Sequence, residues 1–200
     1  MSDRLNPRAL LLAAVIAALG SVGPRPLEGQ AALVIIARHG EKADTTHDTP
    51  LSPAGEARAA ALARALADTR LDAVFVTEFV RTQRTGAPAA AARGLKERII
   101  PVHDDSIAHA RTVAAALRGE PPGSAVLVVE HSNTIPAIIS ALGGPDGLKV
   151  CRLEYATLFV MVLDRGRTPR LLRPSFGAAD PPGAGCASGM APAGMAPARR

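Results

Sequence analysis

The stretch LVIIARHGEKAD, residues 33–44, runs an apolar segment directly into a polar triplet. Residues 33–37 are all apolar and predict a buried β-strand. Arg38, His39 and Gly40 follow this strand at once. A buried strand that ends on a guanidinium, an imidazole and a glycine places polar groups at the rim of a sheet. This strand end is therefore the first candidate for a functional site.

Apolar strand-like runs alternate with alanine-rich helical stretches through the middle of the chain. Continuous apolar runs predict strands covered on both faces, at 32–37, 73–77, 98–102, 125–130 and 157–163. Helices are predicted from Ser52 and Pro53 to about residue 68, and at 79–92, 105–118 and 134–142. Pro88 is expected to kink or interrupt the second helix. The alternation predicts a three-layer α/β/α sandwich with a mostly parallel central sheet.

The two ends of the chain differ from this middle. Residues 1–31 place Arg4 and Arg8 before an apolar run at 9–19, which is too short to span a bilayer and is typical of a signal peptide. We therefore expect an exported protein, periplasmic or extracellular, without a stable membrane span after signal cleavage. Residues 174–200 are rich in Pro, Gly and Ala and predict a disordered tail, which leaves 32–173 as the folded domain.

The distribution of charge argues against nucleic acid as a partner. The formal net charge is +5, but residues 1–30 contribute +1 and residues 164–200 contribute +4, so 31–163 is neutral. A neutral folded part has no global field to attract a polyanion. The chain also has only four Phe, one Tyr and no Trp, too few for a base-stacking surface. Its two cysteines do not decide the compartment.

Polar groups follow two more predicted strands. The segment TEFVRTQRT (77–85) places Arg81 in the first turn of a helix, whose N-terminus favours an anion. The segment EHSN (130–133) places His131 after the fourth strand. Since the carboxyl ends of parallel strands lie at one edge, two arginines and two histidines are expected to converge there. Guanidinium and imidazole donors suit a phosphoryl group. The spacing of Asp and His predicts no metal, and no cofactor motif is present.

In this order, three motifs resemble the histidine phosphatase superfamily, which has a phosphoglycerate mutase-like fold. They are RHG (38–40), RTQRT (81–85) and HSN (131–133). The resemblance covers about residues 31–163. It implies a metal-independent phosphatase that hydrolyses phosphomonoesters of small substrates through a phosphohistidine intermediate on His39.

The resemblance also implies a role for each matching residue. His39 would be the nucleophile that attacks phosphorus. The substrate-binding residues would be Arg38, Gly40, Arg81, His131 and Asn133. An imidazole attacks only when neutral, so a hydrogen bond must fix the tautomer of His39. Gly40 is expected to let the backbone pass close to the ligand.

The residue that protonates the leaving group stays open. Asp104 and Asp105 occupy the place, between the second arginine and the second histidine, where one branch of the family carries its acid. The same pair is equally typical of an N-cap for the next helix. Glu78 and Glu130 are rival acids. Glu130 also stands where the family usually has Gly, and a carboxylate there would repel phosphate unless it points away or is protonated.

Two other functions remain open at this point. A degenerate family member would bind anions or a protein partner without turnover, as Glu130 and the unassigned acid suggest. A cytoplasmic phosphohistidine-protein phosphatase would fit the compact size, but it requires that the export signal is illusory. The sequence carries no signal for an oligomeric state.

Overall fold

A computed structural model of the protein describes residues 32–102, 105–164 and 166–183. The strands are β1 (Ala32–Arg38), β2 (Ala73–Val76), β3 (Glu97–Ile99), β4 (Ala125–Glu130), β5 (Leu158–Leu163) and β6 (Arg170–Leu172). The helices are α1 (Pro53–Ala65), α2 (Val80–Ala91), α3 (Ser106–Arg118) and α4 (Ile135–Ala141).

The six strands form one sheet in the order β3-β2-β4-β1-β5-β6. β1, β2, β3 and β4 run parallel to one another, and β5 lies antiparallel between β1 and β6. Because successive side chains of a strand point to opposite faces, each face carries its own core. Val34 and Val128 belong to the core under α3 and α4, whereas Ile35 and Leu127 belong to the core under α1 and α2. The predicted three-layer α/β/α sandwich is confirmed.

The register of β1 and β4 determines where the candidate site lies. Arg38 pairs with Glu130 across the parallel ladder, and the His39 N–H donates to the Glu130 carbonyl at 2.9 Å. The two polar segments that follow these strands therefore begin side by side. The predicted convergence of strand ends rests on this pairing.

Some elements differ from the sequence prediction. β6 was not expected, because it is a three-residue edge strand whose outer residues are exposed. β3 begins at Glu97 and ends before Pro101, earlier than predicted. α2 continues through Pro88 to Ala91, so the proline does not interrupt it. α1 starts as predicted, with the Ser52 hydroxyl accepting a hydrogen bond from the Gly55 N–H.

The folded domain extends beyond residue 173, where the sequence placed the start of the tail. The Leu158 N–H donates to the Pro174 carbonyl at 2.9 Å, and Phe176 is buried. Asp180 accepts hydrogen bonds from the Tyr155 N–H at 2.8 Å and the Ala156 N–H at 3.0 Å. One aromatic side chain and one carboxylate thus attach 174–183 to the domain.

The predicted signal segment 1–31 and the last part of the tail, 184–200, lie outside the described residues. Within the part of the chain that the structure describes, none of the helices has the length and apolar character needed to cross a membrane.

Candidate active site

His39 lies immediately after β1, with only 4% of its surface exposed. Its Nδ1 is 2.7 Å from the Gly40 carbonyl oxygen. A carbonyl can only accept, so Nδ1 carries the proton and Nε2 keeps its lone pair. Burial, together with the nearby positive charges of Arg38 and Arg81, lowers the pKa of His39 to about 3. The geometry therefore holds a neutral imidazole whose tautomer is fixed.

His131 meets His39 at the same edge of the sheet. The two ring centroids are 5.2 Å apart, with the ring planes at 60°. The His131 Nε2 lies 3.2 Å from the hydroxyl oxygen of the buried Thr77, which directly follows β2. Burial, followed by electrostatic coupling to the neighbouring His39 ring and the charge of Arg81, lowers the pKa of His131 well below its ordinary value. The expected meeting of the two imidazoles is therefore present in the fold.

A cavity of about 490 Å³ opens over these rings. Its lining residues are His39, Lys42, His47, Glu78, Phe79, Arg81, Val102, His131, Ser132 and Asn133. Besides His39 and His131, the predicted site residues Glu78, Arg81 and Asn133 line this cavity. Arg38 does not line it. Among the described residues, the lining combines three imidazoles and two basic side chains with a single carboxylate.

Arg81 reaches the cavity from the first turn of α2, as predicted. Its guanidinium carbon lies 4.2 Å from the centroid of the Phe79 ring, and its Nη1 donates to the His47 carbonyl at 2.9 Å. Its Nε is buried and has no hydrogen-bond partner among the described residues. The first backbone N–H of the helix, that of Val80, is taken by the Asp48 carboxylate at 2.9 Å. The helix N-terminus thus attracts an anion, as expected, and that anion is a side chain of the protein.

Arg38 is held from behind by a loop that follows α4. Its Nη1 donates to the carbonyls of Cys151 and Arg152 at 2.9 Å each and of Glu154 at 3.1 Å. Its guanidinium carbon also lies 4.0 Å over the Tyr155 ring. Burial lowers the pKa of Arg38, although the side chain remains a cation. Its Nε is buried without a partner among the described residues, as is that of Arg81.

The close approach that Gly40 permits is to the protein itself. A Cβ at Gly40 would lie 2.7 Å from the Gly55 carbonyl oxygen at the start of α1. The Gly40 N–H donates to the Thr85 hydroxyl of α2 at 2.9 Å. Gly40 is therefore explained by packing between the strand end and two helices, and it does not line the cavity.

The candidate acids lie in different surroundings. Glu78 is exposed and lines the cavity, and its Oε2 accepts a hydrogen bond from the Val102 N–H at 2.8 Å. Asp105 caps α3, with its Oδ1 accepting from the Ile107 N–H at 2.8 Å. Asp104 lies outside the described residues. Among the described candidates, Glu78 alone contributes to the cavity.

Glu130 points away from the cavity, although it directly precedes His131. Its side chain is 2% exposed, and its oxygens contact His109 Nε2 at 2.9 Å and the Thr134 hydroxyl at 2.7 Å. The alternation along β4 explains this direction, because Glu130 has the same parity as Val126 and Val128, which face the core under α3. The expected repulsion between this carboxylate and a phosphate does not arise.

Sequence reasoning missed several residues of the site. Phe79 packs edge-on against His131, with centroids 5.3 Å apart at 89°, and lies 5.1 Å from His47 in a similar arrangement. Lys42 and His47 belong to the segment after the first strand, where nothing in the sequence distinguished them from surface residues. Tyr155 carried one available signal, since it is the only tyrosine in the chain.

The described residues bring together no group of three His, Cys, Asp or Glu side chains suited to a metal ion. The absence of a metal requirement remains a prediction from the sequence.

Comparison with known proteins supports the family resemblance. The family model of the histidine phosphatase superfamily (branch 1) matches residues 34–107, which confirms the resemblance seen in the sequence. No curated protein matches the chain in sequence.

Solved structures show a similar fold. One is a protein assigned as the phosphohistidine phosphatase SixA of Agrobacterium tumefaciens, 24% identical, covering 74% of this chain and 98% of its own, with a TM-score of 0.54. Another is a mycobacterial glucosyl-3-phosphoglycerate phosphatase, 18% identical, covering 70% and 97%, with a TM-score of 0.56. A third is the protein histidine phosphatase SixA complexed with tungstate, 20% identical, covering 72% and 96%, with a TM-score of 0.55. At these identities the likeness establishes the fold.

Proposed function

We propose, on the premise of the match to the histidine phosphatase superfamily, that this chain is a phosphatase with His39 as its nucleophile. The observation that carries the proposal is the pairing of two buried, neutral imidazoles 5.2 Å apart at the floor of a cavity lined by basic side chains. The nucleophile is already in its reactive form, because its pKa is held at about 3.

Two unsatisfied donors support an anionic substrate. The Nε atoms of Arg38 and Arg81 are buried without partners among the described residues. A buried donor without an acceptor is costly, by roughly 1–3 kcal/mol and more for a charged group. A phosphoryl group offers acceptors to guanidinium donors of this kind. Tungstate, a tetrahedral oxyanion, occupies one of the related structures.

The proposed reaction has two steps. The Nε2 lone pair of His39 attacks phosphorus in line, the N–P bond forms, and the bond from phosphorus to the ester oxygen breaks. Glu78 donates a proton to the departing alkoxide and becomes a carboxylate. Water, giving its proton to Glu78, then attacks the phosphohistidine, which releases phosphate and restores His39. Arg38, Arg81 and His131 stabilise the charge on the transferring group.

The direct test is to trap the intermediate. Wild type mixed with a ³²P-labelled aryl phosphate and quenched rapidly in alkali should carry label on one histidine, since phosphohistidine survives alkali. His39→Ala should carry none, and its turnover should fall by at least about 10³-fold. Thermal unfolding of both proteins checks that the variant folds. Equal turnover by the two proteins would eliminate the mechanism.

The acid is tested by the leaving group. An aryl oxide leaves without much help, whereas an alkoxide needs a proton. Glu78→Gln should slow hydrolysis of an alkyl phosphate by about 10²–10⁴-fold and affect an aryl phosphate far less. Asp105→Asn serves as the matched control, since Asp105 caps α3. If Asp105→Asn or Asp104→Asn shows the selective loss and Glu78→Gln does not, the acid belongs to the loop before α3.

We further propose that the protein is exported. The N-terminal signal pattern of residues 1–31 supports this. Fractionation of cells that express the full chain, with sequencing of the mature N-terminus, tests the proposal. Recovery of the intact N-terminus in the cytoplasm would contradict it. We also propose that no metal is used, so dialysis against EDTA should leave activity unchanged.

A phosphorylated histidine of a protein is the second candidate substrate. The likeness in fold to the SixA structures favours it. A phosphohistidine-containing protein and an alkyl phosphomonoester, compared at equal concentration, separate the two. Preference for the phosphoprotein by tenfold or more in kcat/KM would favour this second candidate over a small phosphomonoester.

A further inference from the structure

A buried polar cluster lies behind His131, on the face of the sheet that packs against α3. We call it the Glu130 cluster, and it consists of Glu130, His109, Thr134 and the carbonyl of Pro101. His109 is 0% exposed, and the Glu130 side chain is 2% exposed. None of these residues lines the cavity, and the proposed mechanism uses none of them.

Four hydrogen bonds among the described residues connect the cluster. His109 Nε2 lies 2.9 Å from Glu130 Oε1, and its Nδ1 lies 3.2 Å from the Pro101 carbonyl oxygen. The Thr134 hydroxyl donates to Glu130 Oε2 at 2.7 Å. The same hydroxyl oxygen accepts from the backbone N–H of His131 at 3.2 Å. The cluster thus connects the segment after β3 with the turn after β4.

We propose that Glu130 and His109 are positioning residues. They fix the turn that carries His131 relative to the segment that carries Val102, whose N–H binds Glu78. The proposal rests on the proposed function. Replacing a buried ion pair by apolar residues is often neutral or stabilising, so stability alone does not account for a pair at this place. The location of the pair, between two parts of one proposed active site, gives a reason for its presence.

On one side, the cluster fixes His131. The His131 N–H is the first amide after β4, and it donates to the Thr134 hydroxyl oxygen. Glu130 Oε2 is the nearer acceptor for the threonine proton, at 2.7 Å, and the His131 carbonyl is the second, at 3.1 Å. A displacement of about 1 Å at a reacting group can cost about 10²-fold in rate. Loss of the carboxylate should therefore appear as weaker binding of the phosphoryl oxygens.

On the other side, the cluster reaches the proposed acid. His109 holds the Pro101 carbonyl, and the next residue, Val102, donates its N–H to Glu78 Oε2 at 2.8 Å. Val102 also lines the cavity. A shift of this segment would move the anchor of Glu78. Loss of His109 should therefore affect proton donation to the leaving group more than attack by His39.

The experiment compares His109→Gln and Glu130→Gln with wild type on an aryl and an alkyl phosphate. We expect kcat for the alkyl phosphate to fall at least tenfold more than kcat for the aryl phosphate in His109→Gln. In Glu130→Gln we expect KM to rise for both substrates. Val113→Ala is the matched control, since Val113 is a fully buried residue of α3 one turn further along. It should lower stability and leave the alkyl-to-aryl ratio unchanged.

Unchanged ratios and KM values in both glutamine variants would overturn the inference. If His109→Gln does not fold, Thr134→Val interrupts the same connection and Thr134→Ser should restore it. If wild type hydrolyses neither substrate, the proposed function fails separately. In that case two measurements that need no turnover test the positioning role. In NMR spectra, Glu130→Gln should shift the resonance of the His131 amide, and in calorimetry it should weaken tungstate binding tenfold. An unmoved resonance and unchanged affinity would overturn it.

Discussion

The imidazoles of the cavity and the imidazole of the core are almost equally buried, yet their pKa values are shifted in opposite directions. His39 and His131 are 4% and 7% exposed, and His109 is 0% exposed. Burial and neighbouring cations lower the pKa of the first two. Burial also acts to lower that of His109, but hydrogen bonding and the charge of Glu130, with the Pro101 carbonyl, raise it above its ordinary value.

The comparison shows that partners, more than depth, decide which form of a buried histidine is stable. The core contains its own anion, so its imidazole is satisfied within the protein. In the described part of the cavity, basic side chains outnumber carboxylates, and burial together with these cations favours the neutral form of its imidazoles. A neutral pair beside unpaired guanidinium donors is suited to receive an anion from outside.

The largest effect should come from breaking the core pair on one side only. Glu130→Ala leaves His109 buried without its carboxylate, and such a change costs about 3–5 kcal/mol in the free energy of unfolding. The double variant Glu130→Leu with His109→Leu removes both charges and should lose considerably less. Urea unfolding of wild type, Glu130→Leu, His109→Leu and the double leucine variant measures the coupling. Additive losses would show that the two side chains are not a pair.

On the cavity side, Arg81→Ala removes one of the cations that keep His39 neutral. Loss of a preorganised donor to the transferring group should lower kcat by about 10²–10³-fold. Arg84→Ala is the control, because Arg84 lies on the same helix and pairs with Glu56 at the surface. Steady-state kinetics on an aryl phosphate should show Arg84→Ala within about twofold of wild type. Equal losses in both variants would assign the effect to the helix and not to the cavity.

Glu97 extends the comparison of buried histidines to a carboxyl group. It is partly buried, and burial is the cause of its pKa shift. Burial raises its pKa to about 7, and its Oε1 has no partner among the described residues. With the folded pKa above the unfolded one, the stabilisation by the neutral form is full below about pH 4.5 and is lost as pH rises through about 7. Glu97→Gln stays neutral, so it should raise the free energy of unfolding at pH 8 by about 1–3 kcal/mol.

The measurement for Glu97→Gln is urea unfolding at pH 4 and pH 8. The gain over wild type should disappear at the lower pH. Glu56→Gln, a partly exposed carboxylate, should change stability by less than about 0.5 kcal/mol at either pH. A gain that is independent of pH would contradict the titration of Glu97.

The smallest perturbation changes only protons. In ¹⁵N NMR spectra recorded from pH 9 to pH 5, the rings of His39 and His131 should not titrate, because their pKa values are lowered below this range. The ring of His109 should carry protons on both nitrogens, because each nitrogen faces an acceptor oxygen, that of Pro101 or of Glu130, and its pKa is raised. Assignment by single His→Gln variants identifies each signal. Titration of His39 between these limits would remove the neutral nucleophile from the mechanism.

Much of the fold followed from the sequence because its central strands are continuous apolar runs. β1 and β4 have no polar residue before their last positions, so both their existence and their ends could be predicted. β6 could not, since an edge strand of sequence Arg-Leu-Leu is no more apolar than a loop. Phe176 and Asp180 attach the start of the tail through contacts that composition does not reveal.

The site divides in the same way. Arg81 and His131 could be predicted because they follow strands whose ends share an edge. The direction of Glu130 was also accessible, since its parity with Val128 places it on the core face of β4. The partner of Glu130 was not, because His109 lies on a helix whose rotation depends on packing. Phe79 and Tyr155 contact the imidazoles only through the tertiary fold.

The attachment of Asp180 has a practical consequence for anyone who shortens this protein. Composition alone suggests trimming after residue 173, where the Pro- and Gly-rich sequence begins. Such a cut would strip the carboxylate from the Tyr155 and Ala156 amides, beside the ring on which Arg38 rests. A version ending at residue 183 keeps the hydrogen bonds of Asp180 to these amides. A version ending at residue 173 lacks them, so Arg38 should be held less rigidly and the activity measured should be lower than that of the full chain.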